Sequence, residues 1–153
     1  MSRRQSRQVV ARQQLIAILD NEAVQAAVQP DHSKHRSMMA LVSAVSQRNV
    51  RRPGQVRLLT STAVRVEAGI DRRQPTAALL GGLRIRDVVL DSSRADACAE
   101  LCRGAGGTIV DATVAQAALA ERTPGTTVSI YTADVVDLER LVSAGGGVRV
   151  RLV

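Results

Sequence analysis

Residues 129–141 read SIYTADVVDLERL. A β-compatible run ends at Thr132, Asp134 stands at the junction, and an amphipathic helix begins at Val135 or Val136. Taken alone, a carboxylate at that junction is a helix N-cap, accepting hydrogen bonds from the first amides at the positive end of the helix dipole. The same order of strand, acid and helix occurs near the start of the chain. Leu15 to Leu19 is apolar and β-compatible, Asp20 follows, and NEAVQAAVQ is helical until Pro30 ends it.

Between these two units the alternation continues. SMMALVSAVSQR (37–48) has apolar residues at helical spacing, NVRRPGQ is a polar turn, and VRLLT (56–60) is a short strand. STAVRVEAGI (61–70) is a helix capped by Ser61 or Thr60, and PTAALLGG (75–82) is a short helix opened by Pro75 and closed by Gly81 and Gly82. LRIRDVVL (83–90) reads as a strand, SSRADACAELCRGAGG (92–107) as a capped helix with glycines past its end, and the helix in TIVDATVAQAALAER starts near Val110. TTVSIYT (126–132) and the terminal VRVRLV (148–153) are strands flanking the last helix. This order predicts a three-layer α/β/α sandwich with a central, mostly parallel sheet, a fold in which ligand sites collect outside the carboxyl ends of the strands. We expect one domain over residues 15–153, preceded by a basic arm over residues 1–14.

Composition narrows the function. The chain carries 21 basic and 14 acidic residues, a net charge of +7, and every basic residue except Lys34 is arginine. Such a surface suits polyanions, because guanidinium forks onto phosphate and releases its counterions. Tyr131 is the only aromatic residue, which excludes a base-stacking platform of the RRM or OB type. Nucleic acid would therefore be held by its backbone or by metal ions. No apolar run approaches the ~20 residues of a membrane span, and MSRRQSRQVVARQQ has no signal-peptide core, so we expect a cytoplasmic protein with no membrane partner. Cys98 and Cys102, one helical turn apart, read as reduced thiols. His32 and His35 share a polar loop; their spacing from the cysteines is atypical for zinc, and they offer no catalytic triad. There is no P-loop, and the glycine runs follow helices as C-caps.

The acids sort by position. Asp20 ends the first strand, Asp134 follows VSIYT, Asp111 opens the helix DATVAQAALA, and Glu67 lies in the helix after the second strand. Each alone reads as a cap or a solvated helix face. In a parallel α/β sheet, however, the three aspartates share one crevice, with Glu67 reaching in from the neighbouring helix. Divalent Mg²⁺ or Mn²⁺, which takes oxygen ligands, would relieve their repulsion and activate water against a phosphodiester.

In order and spacing, LIAILDNEAV, TSTAVRVEAG, IVDATVAQAA, IYTADVVDLERL and the terminal GGGVRVRLV resemble the PIN-domain nucleases, including the VapC-like toxins of bacterial toxin–antitoxin modules. The resemblance covers Leu15 to Val153. It implies a PIN-like fold in which Asp20, Glu67, Asp111 and Asp134 bind one or two Mg²⁺ or Mn²⁺ ions and hydrolyse RNA, with Thr132 as a hydroxyl residue beside the site. Glu67 would orient or deprotonate the attacking water, and arginines would position the phosphates. It also implies an antitoxin protein as partner and a homodimer. The chain departs from the family in its arm and in Glu22, which stands where a small or hydroxyl residue is usual. Asp137 is a further acid near the site, or a partner of its helix dipole. Two functions follow: a metal-dependent endoribonuclease, or a non-catalytic PIN-like module that binds RNA or protein and needs no metal.

Overall fold

The computed structural model describes residues 13–153. The expected arm falls outside them as far as residue 12, and Gln14 already belongs to the first strand. Five strands alternate with helices: β1 (Gln14–Leu19), α1 (Asn21–Val28), α2 (His35–Arg51), β2 (Val56–Ser61), α3 (Thr62–Glu67), α4 (Pro75–Gly82), β3 (Ile85–Val88), α5 (Ser92–Ala105), α6 (Ile109–Ala120), β4 (Thr126–Thr132), α7 (Val135–Ser143) and β5 (Val148–Leu152). The sheet order is β3-β2-β1-β4-β5, and every pairing is parallel. The fold is thus α/β, with the central sheet between helical layers.

Right-handed crossovers assign the layers. The chain moves outward from β1 to β2 to β3 through α1, α2 and α4 on one face, where α1 packs against both α2 and α4. It then crosses back through α5 and α6 to β4 and continues through α7 to β5, so α5, α6 and α7 cover the other face. α3 sits at the carboxyl end of β2, against α6. Because both faces of the inner strands are covered, β1 is a run of buried residues from Ile16 to Leu19. Ile18, Leu19, Val128, Ile130, Val64, Val114, Leu138 and Leu141 form the centre of the core. Each such side chain contributes about 1.5–3 kcal/mol relative to exposure. On α6 the buried positions include Ala112, Ala115, Ala117 and Ala118, small residues that let this helix lie close on the sheet.

The ends of the elements follow local chemistry. Ser61 caps α3 by accepting from the Val64 amide, Asp91 caps α5 through Arg94, and Pro75 opens α4. Past α5, Gly106 adopts φ of 75° and donates its amide to the Cys102 carbonyl, the left-handed C-cap expected of this glycine run. α4 ends differently from expectation. Both glycines stay helical, Leu83 is the C-cap, and Arg84 takes the positive φ of 57°. The following strand therefore begins at Ile85 instead of Leu83, and it is only four residues long. α2 also runs further than its apolar stripe, into NVRR, and stops two residues before Pro53.

Candidate functional site

The strand order reverses direction between β1 and β4, and the crevice at such a point lies beyond the carboxyl ends of the two strands. Asp20 stands there, directly after β1 and 7% exposed. Its amide donates to the Tyr131 carbonyl at 3.0 Å, which extends the β1–β4 ladder by one rung. Its Oδ1 accepts from the Asn21 amide at 2.7 Å and caps α1. Its Oδ2 accepts from the Thr132 hydroxyl at 2.7 Å. Thr132, fully buried, also accepts the Asp134 amide at 2.9 Å. One hydroxyl thus ties the end of β1 to the turn that follows β4.

Burial pushes the Asp20 carboxyl above its ordinary value. The hydrogen bonds from Thr132 and Asn21 oppose that shift, and the negative charges of Asp111 and Asp134 add to it. The charges of the other two aspartates named from sequence, at the starts of α6 and α7, thus reach Asp20. Asp111 is half-buried and closes a capping box at the start of α6: its Oδ2 accepts from the Thr108 hydroxyl at 2.6 Å and the Thr108 amide at 3.2 Å. Asp134 is exposed and caps α7, its Oδ1 accepting from the Asp137 amide at 3.3 Å.

Glu67 is placed apart from them. It is exposed at the last position of the six-residue α3 and makes no side-chain hydrogen bond or ion pair among the described residues. The other acids near these junctions have separate partners. Glu22 pairs with Lys34 at 3.2 Å and His32 at 3.5 Å, and Asp137 pairs with Arg140 at 3.0 Å. Neither the histidines nor the cysteines form a zinc set. His35 bonds the Ala26 carbonyl at 2.7 Å, while Cys98 and Cys102 are free thiols facing the Ala112 and Thr108 carbonyls.

A second set of buried hydroxyls was not foreseen as a unit. Thr60 donates to the Leu19 carbonyl at 2.8 Å, joining β2 to β1 at their carboxyl ends. Thr113 donates to the Val110 carbonyl at 2.7 Å, so in the 2.7 Å bond between Ser61 and Thr113 the proton belongs to Ser61. Ser61 in turn accepts from Val64. These contacts fix α3 and α6 to the sheet edge that carries Asp20. Capping chemistry pointed to Thr60 and Ser61, but nothing local in the sequence pointed to Thr113.

The donors around Asp20 are carboxylate oxygens, which fit a hard divalent cation in kind. As the side chains stand, no three His, Cys, Asp or Glu residues among the described residues are grouped closely enough to hold one ion. Asp111 Oδ1 and Asp134 Oδ2 accept no hydrogen bond among the described residues and are the atoms left over for a ligand. Compared with protein-family models and with curated proteins, the chain matches none. Among the described residues no helix is long and apolar enough to cross a membrane.

Proposed function

We propose that this chain is a PIN-like, Mg²⁺- or Mn²⁺-dependent endoribonuclease, acting as the toxin of a toxin–antitoxin pair. The observation that carries the reading is the burial of Asp20 at the β1–β4 switch point, under the charges of Asp111 and Asp134. Carboxylates held against their own repulsion are characteristic of sites tuned for chemistry. Asp20, Asp111 and Asp134 would hold the ion, and Glu67, exposed at the end of α3, is the group assigned to the attacking water. The ion supplies charge against the phosphodiester and a water of lowered pKa. Thr132 orients Asp20 and keeps Oδ2 aligned, and the arginine-rich surface attracts the strand.

A second reading, a non-catalytic module binding RNA or protein, is favoured by the fact that all three aspartates also serve as helix caps. Metal separates the two. Wild type should bind Mn²⁺ by calorimetry and cleave RNA in Mg²⁺ but not in EDTA, and Asp20→Ala should lose both while remaining folded. A well-folded wild type that binds no metal supports the binding module.

A further inference from the structure

α2 packs on β2, and between it and strands β1, β4 and β5 lies an open groove of about 380 Å³. Apolar residues of β1 and α2 form much of its wall; Arg48 of α2, Tyr131 of β4, and Arg149 and Arg151 of β5 also line it, and no aspartate or glutamate does. The two strands are in register there, Ser129 beside Arg149 and Tyr131 beside Arg151. Arg149 and Arg151 thus point to the same face, about 6.6 Å apart along the strand. That step resembles the spacing of successive phosphates on an extended nucleic-acid strand.

These arginines differ from those that hold the fold together. Arg57 is paired with Glu121, Arg65 with Asp87, and Arg122 with the Gly145 carbonyl. Arg48, Arg149 and Arg151 are exposed and make no ion pair among the described residues, and residues 1–12 contain no carboxylate. Tyr131 is also the groove residue next to the acidic edge: its carbonyl accepts the Asp20 amide.

The geometry points to this groove as the path of a single-stranded RNA held mainly by its backbone, with phosphates on Arg48, Arg149 and Arg151, delivering the strand to Asp20; Tyr131 is too solitary for a stacking platform but adds a single base contact to that hold. This inference rests on the ribonuclease reading for the identity of the ligand. Charge complementarity selects the occupant: Arg149 and Arg151 also line a neighbouring cleft with Glu139, but no acid lines this groove, and its three cations disfavour a second copy of this basic chain and favour an extended polyanion.

The test is fluorescence anisotropy of a labelled short oligoribonucleotide in EDTA, where no metal-dependent cleavage occurs, with native mass measured on each protein. Variants are Arg149→Gln with Arg151→Gln, Tyr131→Leu, and a control, Arg36→Gln with Arg103→Gln, two exposed arginines outside the groove. The groove pair should bind at least about tenfold more weakly, its salt dependence flattened by about 1.4, or roughly 0.7 for each lost phosphate contact. Tyr131→Leu should weaken binding about tenfold with an unchanged salt slope, and the control should stay near wild type. Wild-type affinity in the groove pair, or an equal loss in the control, overturns the proposal. So does unchanged RNA binding with a dimer falling to a monomer, which would make the groove an interface between copies. If the groove variants lose affinity but wild type does not cleave in Mg²⁺ or Mn²⁺, the groove stands and the ribonuclease reading fails. If wild type cleaves and the groove variants bind and cleave equally, the reverse holds.

Discussion

The hydroxyl of Thr132 donates to Asp20 Oδ2 across 2.7 Å, joining residues 112 positions apart in the chain. Both are buried, and the same oxygen accepts the Asp134 amide, so the bond sets the orientation of the carboxylate and the start of α7 together. Thr132→Val keeps the shape and strands two polar partners. It should lower stability by about 1–3 kcal/mol in urea unfolding. On the metal-dependent reading it should also weaken Mn²⁺ affinity by about 10–100-fold, the usual effect of losing a group that orients a ligand. Thr132→Ser should recover most of both.

Burial holds the Asp20 carboxyl above its ordinary value of about 3.8, which reverses the common acidic pattern. The folded state holds this proton more tightly than the unfolded chain. Ionised Asp20 is therefore a destabilising element above its folded pKa, and the penalty is relieved as pH falls toward 3.8. In EDTA at neutral pH, Asp20→Asn should melt at or above the wild-type temperature, and the gap should close as the solution is acidified. A lower melting temperature for Asp20→Asn throughout the range would contradict this account.

Metal should invert that ranking. On the proposed function, Mn²⁺ at about 100 times its dissociation constant stabilises wild type by about 2.7 kcal/mol and leaves Asp20→Asn unmoved. Thermal melts with and without the ion read this directly.

Glu67 ends α3 in solvent, away from the three aspartates. Glu67→Gln should therefore change stability by no more than about 0.5 kcal/mol. It should disturb Mn²⁺ affinity far less than Asp20→Ala does, so that any loss of RNA cleavage falls on turnover. Calorimetry alongside single-turnover cleavage separates the two effects.

The Ser61–Thr113 bond holds α3 to α6. Ser61→Ala also removes the cap of α3, and should lower stability by about 1–2 kcal/mol. Thr113→Val with Ser61→Ala should fall short of the sum of the two single losses, as expected for direct partners.

Much of this arrangement was legible from local signals. Apolar runs such as LIAIL, and acids at strand ends such as Asp20 and Asp134, carry their meaning within a few residues, so the alternating fold and the edge that bears these acids could be read before any contact was known. What was hidden depends on distance along the chain or on backbone detail. Thr113 matters because of Ser61, 52 residues earlier. The exposure of Glu67 depends on α3 ending at that residue. The late start of β3 depends on a left-handed arginine where a glycine was the natural choice. Arg149 and Arg151 alternate along the terminal strand like any half-exposed pair, and only the register with β4 sets them beside Tyr131.

The central pairing of β1 with β4 has a consequence for biosynthesis. These neighbouring strands lie more than a hundred residues apart, a separation that makes their association late and slow, because a long loop must close before the contacts repay it. During translation Asp20 emerges 112 residues before its threonine partner, and Asp134 follows two residues later. A nascent chain in which β4 has not yet been made thus carries an unassembled edge, and whatever chemistry this edge performs is withheld until β4 has joined β1.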